Sequence, residues 1–214
     1  MQKSSASSAD GAGGVDRTRG AGGTGGAGGT RDRIVVAASR LIQRQGYVGT
    51  GIKQIAQEAE ATLGSVYHFF PGGKEAVAVA AMEHGREEFA ALLRDALDGE
   101  DAPGAAVDAC ARTLATELRA SGWIDGCPVT AAALETLGTD NPIQRACAEA
   151  LASWQRLVAD KLLGCGLPGP EAESLAATVV NTLEGAEVSA QVTRSETPLL
   201  LAGRHLSRLI DSYL

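Results

Sequence analysis

Aromatic side chains make up only 4 % of this 214-residue chain, although 44 % of it is hydrophobic. Its core must be built mainly from Ala, Leu and Val, a composition that suits packed helices. No apolar run approaches the roughly 20 residues that cross a bilayer. The N-terminus is polar and lacks the apolar stretch of a secretory leader, so no membrane partner is expected. The four cysteines (Cys110, Cys127, Cys147 and Cys165) show no C-x-x-C spacing. Neither a disulfide nor a zinc site is expected, and a cytoplasmic protein with reduced thiols follows. His68, His84 and His205 are too scattered to spell a metal motif. There is no H-E-x-x-H, no G-x-S-x-G and no phosphate-binding loop, and Gly73-Lys74-Glu75 lacks the hydroxyl that meets Mg²⁺. No catalytic residue, metal or cofactor is therefore assigned. Strand-like runs are missing too, which leaves an all-α fold.

What the chain does have is concentrated between Thr50 and Lys74, TGIKQIAQEAEATLGSVYHFFPGGK. Ile52, Ile55, Ala56 and Ala59 recur at helical spacing behind Thr50, a residue suited to cap a helix. After a break at Glu60-Ala61, Thr62 can cap a second short helix that turns Val66, Phe69 and Phe70 inward. Gly64, Ser65, Tyr67 and His68 fall on its other face, which carries no carboxylate. A helix that approaches a polyanion needs that property, because carboxylates are repelled by phosphate. Pro71-Gly72-Gly73 ends it and Lys74 opens the next helix. Capped helix, turn, capped helix is the order of a helix-turn-helix, whose second helix enters the major groove. Charge is distributed accordingly. Residues 1–74 carry nine Lys/Arg against five Asp/Glu, and the remainder ten against twenty-one, for a net −7. A basic front and an acidic back suit a DNA-reading unit joined to a unit that does not read DNA. A solvated acidic surface would give the same counts.

The stretch from Ile34 to Ala80 resembles the N-terminal DNA-binding domain of the TetR family of bacterial transcriptional repressors, through AASRLIQRQGY, TGIKQIAQEA and GSVYHFFPGGKEAV. GCPVTAAALE, Gly126 to Glu135, resembles a motif of the LmrA/YxaF-like branch. Two positions depart from the family pattern. Glu60 stands where a turn glycine is usual, which costs on the order of 1 kcal/mol if φ is positive there. Leu63 stands where relatives often carry a polar or basic residue; it either packs inward or meets a thymine methyl. The resemblance implies DNA contacts from Arg31, Arg33, Arg44, Thr50, Thr62, Leu63, Gly64, Ser65, Tyr67, His68 and Lys74. Thr62 to Ser65 would read bases, and Thr50, Tyr67, His68 and Lys74 would clamp phosphates.

In chain order, residues 1–29 are Gly-, Ser- and Ala-rich and cannot bury enough surface to order themselves. Their GxGxxG at Gly20, Gly22 and Gly25 has no strand before it, so it is not a dinucleotide site. Arg17 and Arg19 lie on this arm. Residues 30–76 form the DNA-binding domain of three helices, the first from Thr30 to a terminating Gly46. Residues 77–214 form a larger helical domain for ligand binding and dimerisation. Its first helix begins at Lys74, and others follow near Ala105–Ala120, Cys127–Leu137, Asn141–Leu163, Pro170–Val192 and Thr197–Tyr213. The family pairs the last two helices with their copies, which places Leu175, Val179, Leu183, Ala186, Ala190, Leu206, Leu209 and Ile210 at a homodimer interface. The same stripe would equally fill the protomer's own core.

Relatives hold a small, mostly apolar inducer between the central helices. Here Phe89, Trp123, Thr130, Leu134, Trp154, Leu157, Val180 and Asn181 could line such a cavity, with Glu135 as a further polar contact, or could be plain core. Cys127 near its mouth is either a redox sensor or a buried structural thiol. The function implied is a repressor that binds a palindromic double-stranded operator as a homodimer and leaves it when the inducer binds. The alternatives are an all-α scaffold or a small-molecule-binding enzyme whose helix-turn-helix is only structural.

Overall fold

The computed structural model describes residues 27–138 and 141–214, the side chains of 27 and 28 apart. Arg17, Arg19 and the three arm glycines lie outside the described residues. Helices run in the order α1 (Ala27–Gly49), α2 (Ile52–Glu58), α3 (Leu63–Phe69), α4 (Gly73–Gly99), α5 (Pro103–Ala120), α6 (Pro128–Glu135), α7 (Pro142–Gly164), α8 (Gly169–Thr193) and α9 (Thr197–Asp211), with no strand among the described residues. Helix α1 starts three residues before the expected Thr30. At Gly46 its backbone turns to φ 75°, ψ 170°, so the regular helix ends where the glycine predicted.

Local chemistry sets most boundaries. Thr62 accepts from the Ser65 amide at 3.0 Å and caps α3; Asn141 does the same for α7 through Gln144 at 2.9 Å. Prolines occupy the first turns of α5 to α9, where a missing N–H costs nothing. Thr50 does not cap α2. Gly51 holds that position, and the buried Thr50 hydroxyl donates to the Gly46 carbonyl at 2.7 Å instead. Glu60 adopts φ 49°, so the turn between α2 and α3 does take the left-handed conformation at a non-glycine residue.

A small N-terminal core of Ile34, Ala38, Ile42, Ile55, Val66 and Phe70 is closed by half-buried Leu41, Tyr47 and Phe69. Helix α4 runs on from it, across the expected domain boundary at residue 76, and packs on α1, α5 and α7. Beyond it, α5 lies along α9 and α7 along α8. Trp154 is fully buried on α7, its ring 4.5 Å from that of Phe89 and its indole N–H on the Arg86 carbonyl of α4 at 3.0 Å.

The stripe on α8 and α9 expected at a dimer interface is used inside the protomer. Leu175, Val179, Leu183, Ala190, Leu206 and Ile210 are at most 4 % exposed, because those positions face α5, α7 and each other's helix. Ala186 is half-buried, and Leu209 is the one member of this set that is exposed.

Close helix approach rests on glycines. A Cβ on Gly203 of α9 would lie 2.7 Å from the Ala111 methyl of α5 and 2.9 Å from Asp108 Oδ1. Gly203→Ala should therefore destabilise the fold by about 1–3 kcal/mol, read as a lower urea midpoint at unchanged slope.

Candidate nucleic-acid interface and inner cavity

Helix α3 is only two turns long, and its packing decides which side chains reach solvent. Val66 is buried. Thr62, Leu63, Gly64, Tyr67 and His68 are exposed and Ser65 is half-exposed, its hydroxyl 2.9 Å from that of Thr62. Leu63 thus lies outward, 38 % exposed, and not in the core. No carboxylate lies on α3, so the face presents hydroxyls, an imidazole and a phenol. Beside it, Lys74 sits over the Tyr47 ring at 4.3 Å and donates to the Val48 carbonyl at 3.3 Å. Gly73 lies next to the Tyr67 ring.

The arginines divide. Arg31 is exposed, stacked 5.4 Å over Phe70. Arg33 donates to the Ala59 carbonyl at 3.0 Å and so ties α1 to the end of α2. Arg44 makes a bidentate pair with Asp125, at 2.6 and 3.1 Å, which turns its guanidinium toward the other unit. Asp125 in turn raises the Arg44 pKa, by hydrogen bond and by charge. Thr50, 1 % exposed and bound to its own chain, has no hydroxyl to offer a phosphate.

The second site is a cavity of about 510 Å³ where α1, α4, α5, α8 and the start of α6 converge. Its walls include Phe89, Leu92, Leu114 and Leu118, with Arg40, His84, Glu88, Glu117, Asp125, Cys127, Pro128 and Glu187 among the rest. That volume is in the range of pockets for drug-sized molecules. Gly85 lets α4 meet the Pro128 ring at the start of α6, since a Cβ there would be 2.8 Å from Pro128 Cγ.

Two buried glutamates on α8 stand at this end. Glu184 and Glu187 are each 8 % exposed, and their carboxylates and the Cys127 sulfur all lie within 4.8 Å of one another. The Thr130 hydroxyl donates to Glu184. Burial pushes Glu184 above its ordinary range, and hydrogen bonds from Thr130 and Cys127 pull it part of the way back. Burial, reinforced by the Glu184 charge, pushes Glu187 up to about 8, against the backbone N–H of Cys127. The Cys127 thiol is pushed well above its usual value by burial and by both carboxylates. A thiol held protonated is a poor nucleophile, so the environment does not favour redox sensing. The three groups could together hold a metal ion only after giving up those protons.

Residues 34–81 match the family described as Bacterial regulatory proteins, tetR family, and residues 103–205 match Transcriptional regulator LmrA/YxaF-like, C-terminal domain. The HTH-type transcriptional regulator LmrA of Bacillus subtilis is 35 % identical over 186 residues, covering 86 % of this chain and 96 % of that protein. The chain belongs to the TetR family of transcriptional regulators. The uncharacterized regulator YxaF of the same organism is 33 % identical over 181 residues, covering 85 % and 95 %. Among solved structures, the regulatory protein TetR from Rhodobacter sphaeroides superposes with a TM-score of 0.73 at 26 % identity, covering 84 % of this chain and 97 % of that one. Reduced NemR of E. coli shares the fold at 0.73 and 23 % identity, over 83 % and 95 %. TetR regulators are DNA-binding proteins and not enzymes, and no helix among the described residues is long and apolar enough to cross a membrane.

Within this TetR-family chain, the residues expected to line a cavity are mostly elsewhere. Phe89 does line it. Trp154 and Val180 are buried core, Leu157 and Trp123 are half-buried against that core, and Leu134 and Asn181 face solvent. Thr130 stands behind the cavity wall, holding Glu184. Glu135 is not among the residues lining the cavity, and its carboxylate accepts from the Val48 amide at 2.7 Å. Sequence reading passed over Glu184 and Glu187, although the signal was there. Both sit in phase with Val180, Leu183 and Ala190, so two carboxylates occupy the apolar stripe of α8.

The Glu187 shift has a definite sign. Its folded pKa of about 8 lies above the ordinary carboxylate value, so the folded state binds the extra proton. Stability from this group is greatest at acid pH and is lost as pH rises through about 8. Glu187→Gln should flatten that decline. In a thermal melt the variant should exceed the parent by at least ~5 °C at alkaline pH and match it near pH 5.

Proposed function

We propose that this TetR-family regulator is a homodimeric repressor that holds a palindromic operator and releases it when a small molecule occupies the inner cavity. The observation that carries the DNA half is the exposed, carboxylate-free face of α3, flanked by Lys74. Thr62, Leu63, Gly64 and Ser65 would meet base edges, and Tyr67, His68, Lys74 and Arg31 would meet phosphates. Arg33 and Arg44 are better read as struts than as contacts, since both guanidiniums are engaged within the protein. Leu63, outward at the first turn of α3, suits a thymine methyl.

Two copies are needed for two half-sites about 34–36 Å apart. The face of α8 left free by the protomer core supports such a pairing. Ser174, Thr178, Asn181, Gly185, Val188, Ser189 and Val192 are all exposed, fall on one side of the helix and include no charge. Val192 is 80 % exposed, and Gly185 has open space over it. Small and apolar side chains over about five turns suit close packing against a second copy.

Coupling between cavity and DNA unit has a physical carrier. Asp125 lines the cavity and holds Arg44 of α1, while α6 begins at the cavity with Pro128 and ends with Glu135 on Val48. A ligand that shifts this segment would tilt the heads, and it would act by binding one arrangement better than the other.

Lys74→Ala and Tyr67→Phe should each weaken binding to a duplex selected from a random pool by about three- to tenfold. Lys74→Ala should also reduce the log–log salt slope by about 0.9, one phosphate's worth. Unchanged affinity and slope in both variants would remove these residues from the interface. Val188→Glu with Val192→Glu should yield a folded monomer by light scattering and circular dichroism, with DNA affinity reduced at least tenfold. A dimer that persists would place the interface elsewhere.

A further inference from the structure

The cavity is unbalanced in charge. Of its acidic residues, Asp125 is paired with Arg44 and Glu88 with His84, the latter at 3.3 Å. Glu187 and Glu117 make no ion pair among the described residues. Glu187 is more than nine-tenths buried, receives no side-chain hydrogen bond, and has the backbone N–H of Cys127 as its donor. The groups that act on it are Glu184 on its own helix, Cys127 at the start of α6 and Glu117 on α5; no positive charge is among them. Arg40 and His84, from α1 and α4, line the same cavity but do not pair with it. A buried carboxyl that opens on a cavity and lacks a counter-charge is costly unless something else meets it.

We propose that the cavity takes a ligand with a protonated amine at one end and an apolar, ring-sized body behind it. The ammonium would lie against the Glu187 carboxylate, with Glu117 adding attraction. The body would rest on Phe89, Leu92, Leu114 and Leu118. This rests on the reading of the cavity as the regulator's ligand site and narrows it to a chemical class. The cavity volume favours an organic molecule over a bare ion. Binding carries a proton balance: the ammonium stays protonated, the Glu187 carboxyl ionises, and one proton goes to solvent.

The test uses the full chain and two probes of one shape, 2-naphthylmethylamine and 2-naphthylmethanol, titrated by calorimetry. The amine should bind at least tenfold more tightly. It should gain severalfold in affinity from about pH 6 to about pH 8, and two buffers of different ionisation enthalpy should report release of close to one proton. Glu187→Gln should abolish the preference and the proton release. Glu117→Gln, at an exposed position where folding is not at stake, should reduce the preference by a smaller factor. Equal affinity for the two probes, no binding of either, or an amine preference that survives Glu187→Gln would overturn the proposal. So would cobalt(II) alone giving a thiolate absorption band that Cys127→Ser removes, since that would make the cluster a metal site. Operator release is measured separately, by fluorescence anisotropy of the selected duplex. Glu187-dependent amine binding that leaves DNA affinity unchanged would uphold the ligand class and sink the ligand-responsive reading.

Discussion

A carboxylate on a backbone amide sets the relation between the two halves of this molecule. Glu135, the last residue of α6, accepts from Val48 and fills the space above Gly46, where α1 breaks. The break needs φ 75°, which glycine adopts freely, and the absence of a side chain there is what admits the carboxylate. With Arg33 on Ala59 and Arg44 on Asp125, three polar contacts fix how α1 sits against α2 on one side and against the C-terminal unit on the other. The short recognition helix has little core of its own. Its aim therefore depends on how α1 is held.

The C-terminal helical unit follows a different logic. Its core is mostly aliphatic, with Trp154 as its one fully buried ring among the described residues, and its helices come close by means of glycines at 85, 104 and 203. That economy leaves space where five helices converge, and two of the carboxyl groups that line it, Glu117 and Glu187, make no ion pair among the described residues. Glu184 is satisfied by Thr130; Glu187 is met by a single peptide N–H. Ionising such a group costs stability, and it lines the cavity with no counter-charge beside it.

Much of this was legible in the residues. Helical spacing at Ile52, Ile55, Ala56 and Ala59, the cap at Thr62 and the stop at Gly46 set the N-terminal helices, because those signals are local. Prolines 128, 142, 170 and 198 marked the later starts for the same reason, whereas α5 begins at Pro103, two residues before the expected Ala105. Long-range geometry was not legible. Arg44 reads as a surface cation until Asp125, eighty-one positions away, is seen beside it. Thr50 reads as a cap until its hydroxyl turns back on Gly46. The stripe on α8 and α9 was visible, but periodicity cannot tell a face buried by the chain's own helices from one buried by a second copy. The carboxylates of Glu184 and Glu187 are legible within that stripe by phase, but periodicity does not say what they face.

The uncharged flank of α8 has a bearing on how the molecule responds to its medium. Screening by salt acts on charges and has little hold on contacts made of methyl groups and small hydroxyl side chains. Whatever packs along Gly185, Val188 and Val192 should be indifferent to ionic strength, or tightened by it, while a grip on phosphate loosens. One molecule thus carries two surfaces with opposite responses to brine, and association through one can be followed while contact through the other is switched off.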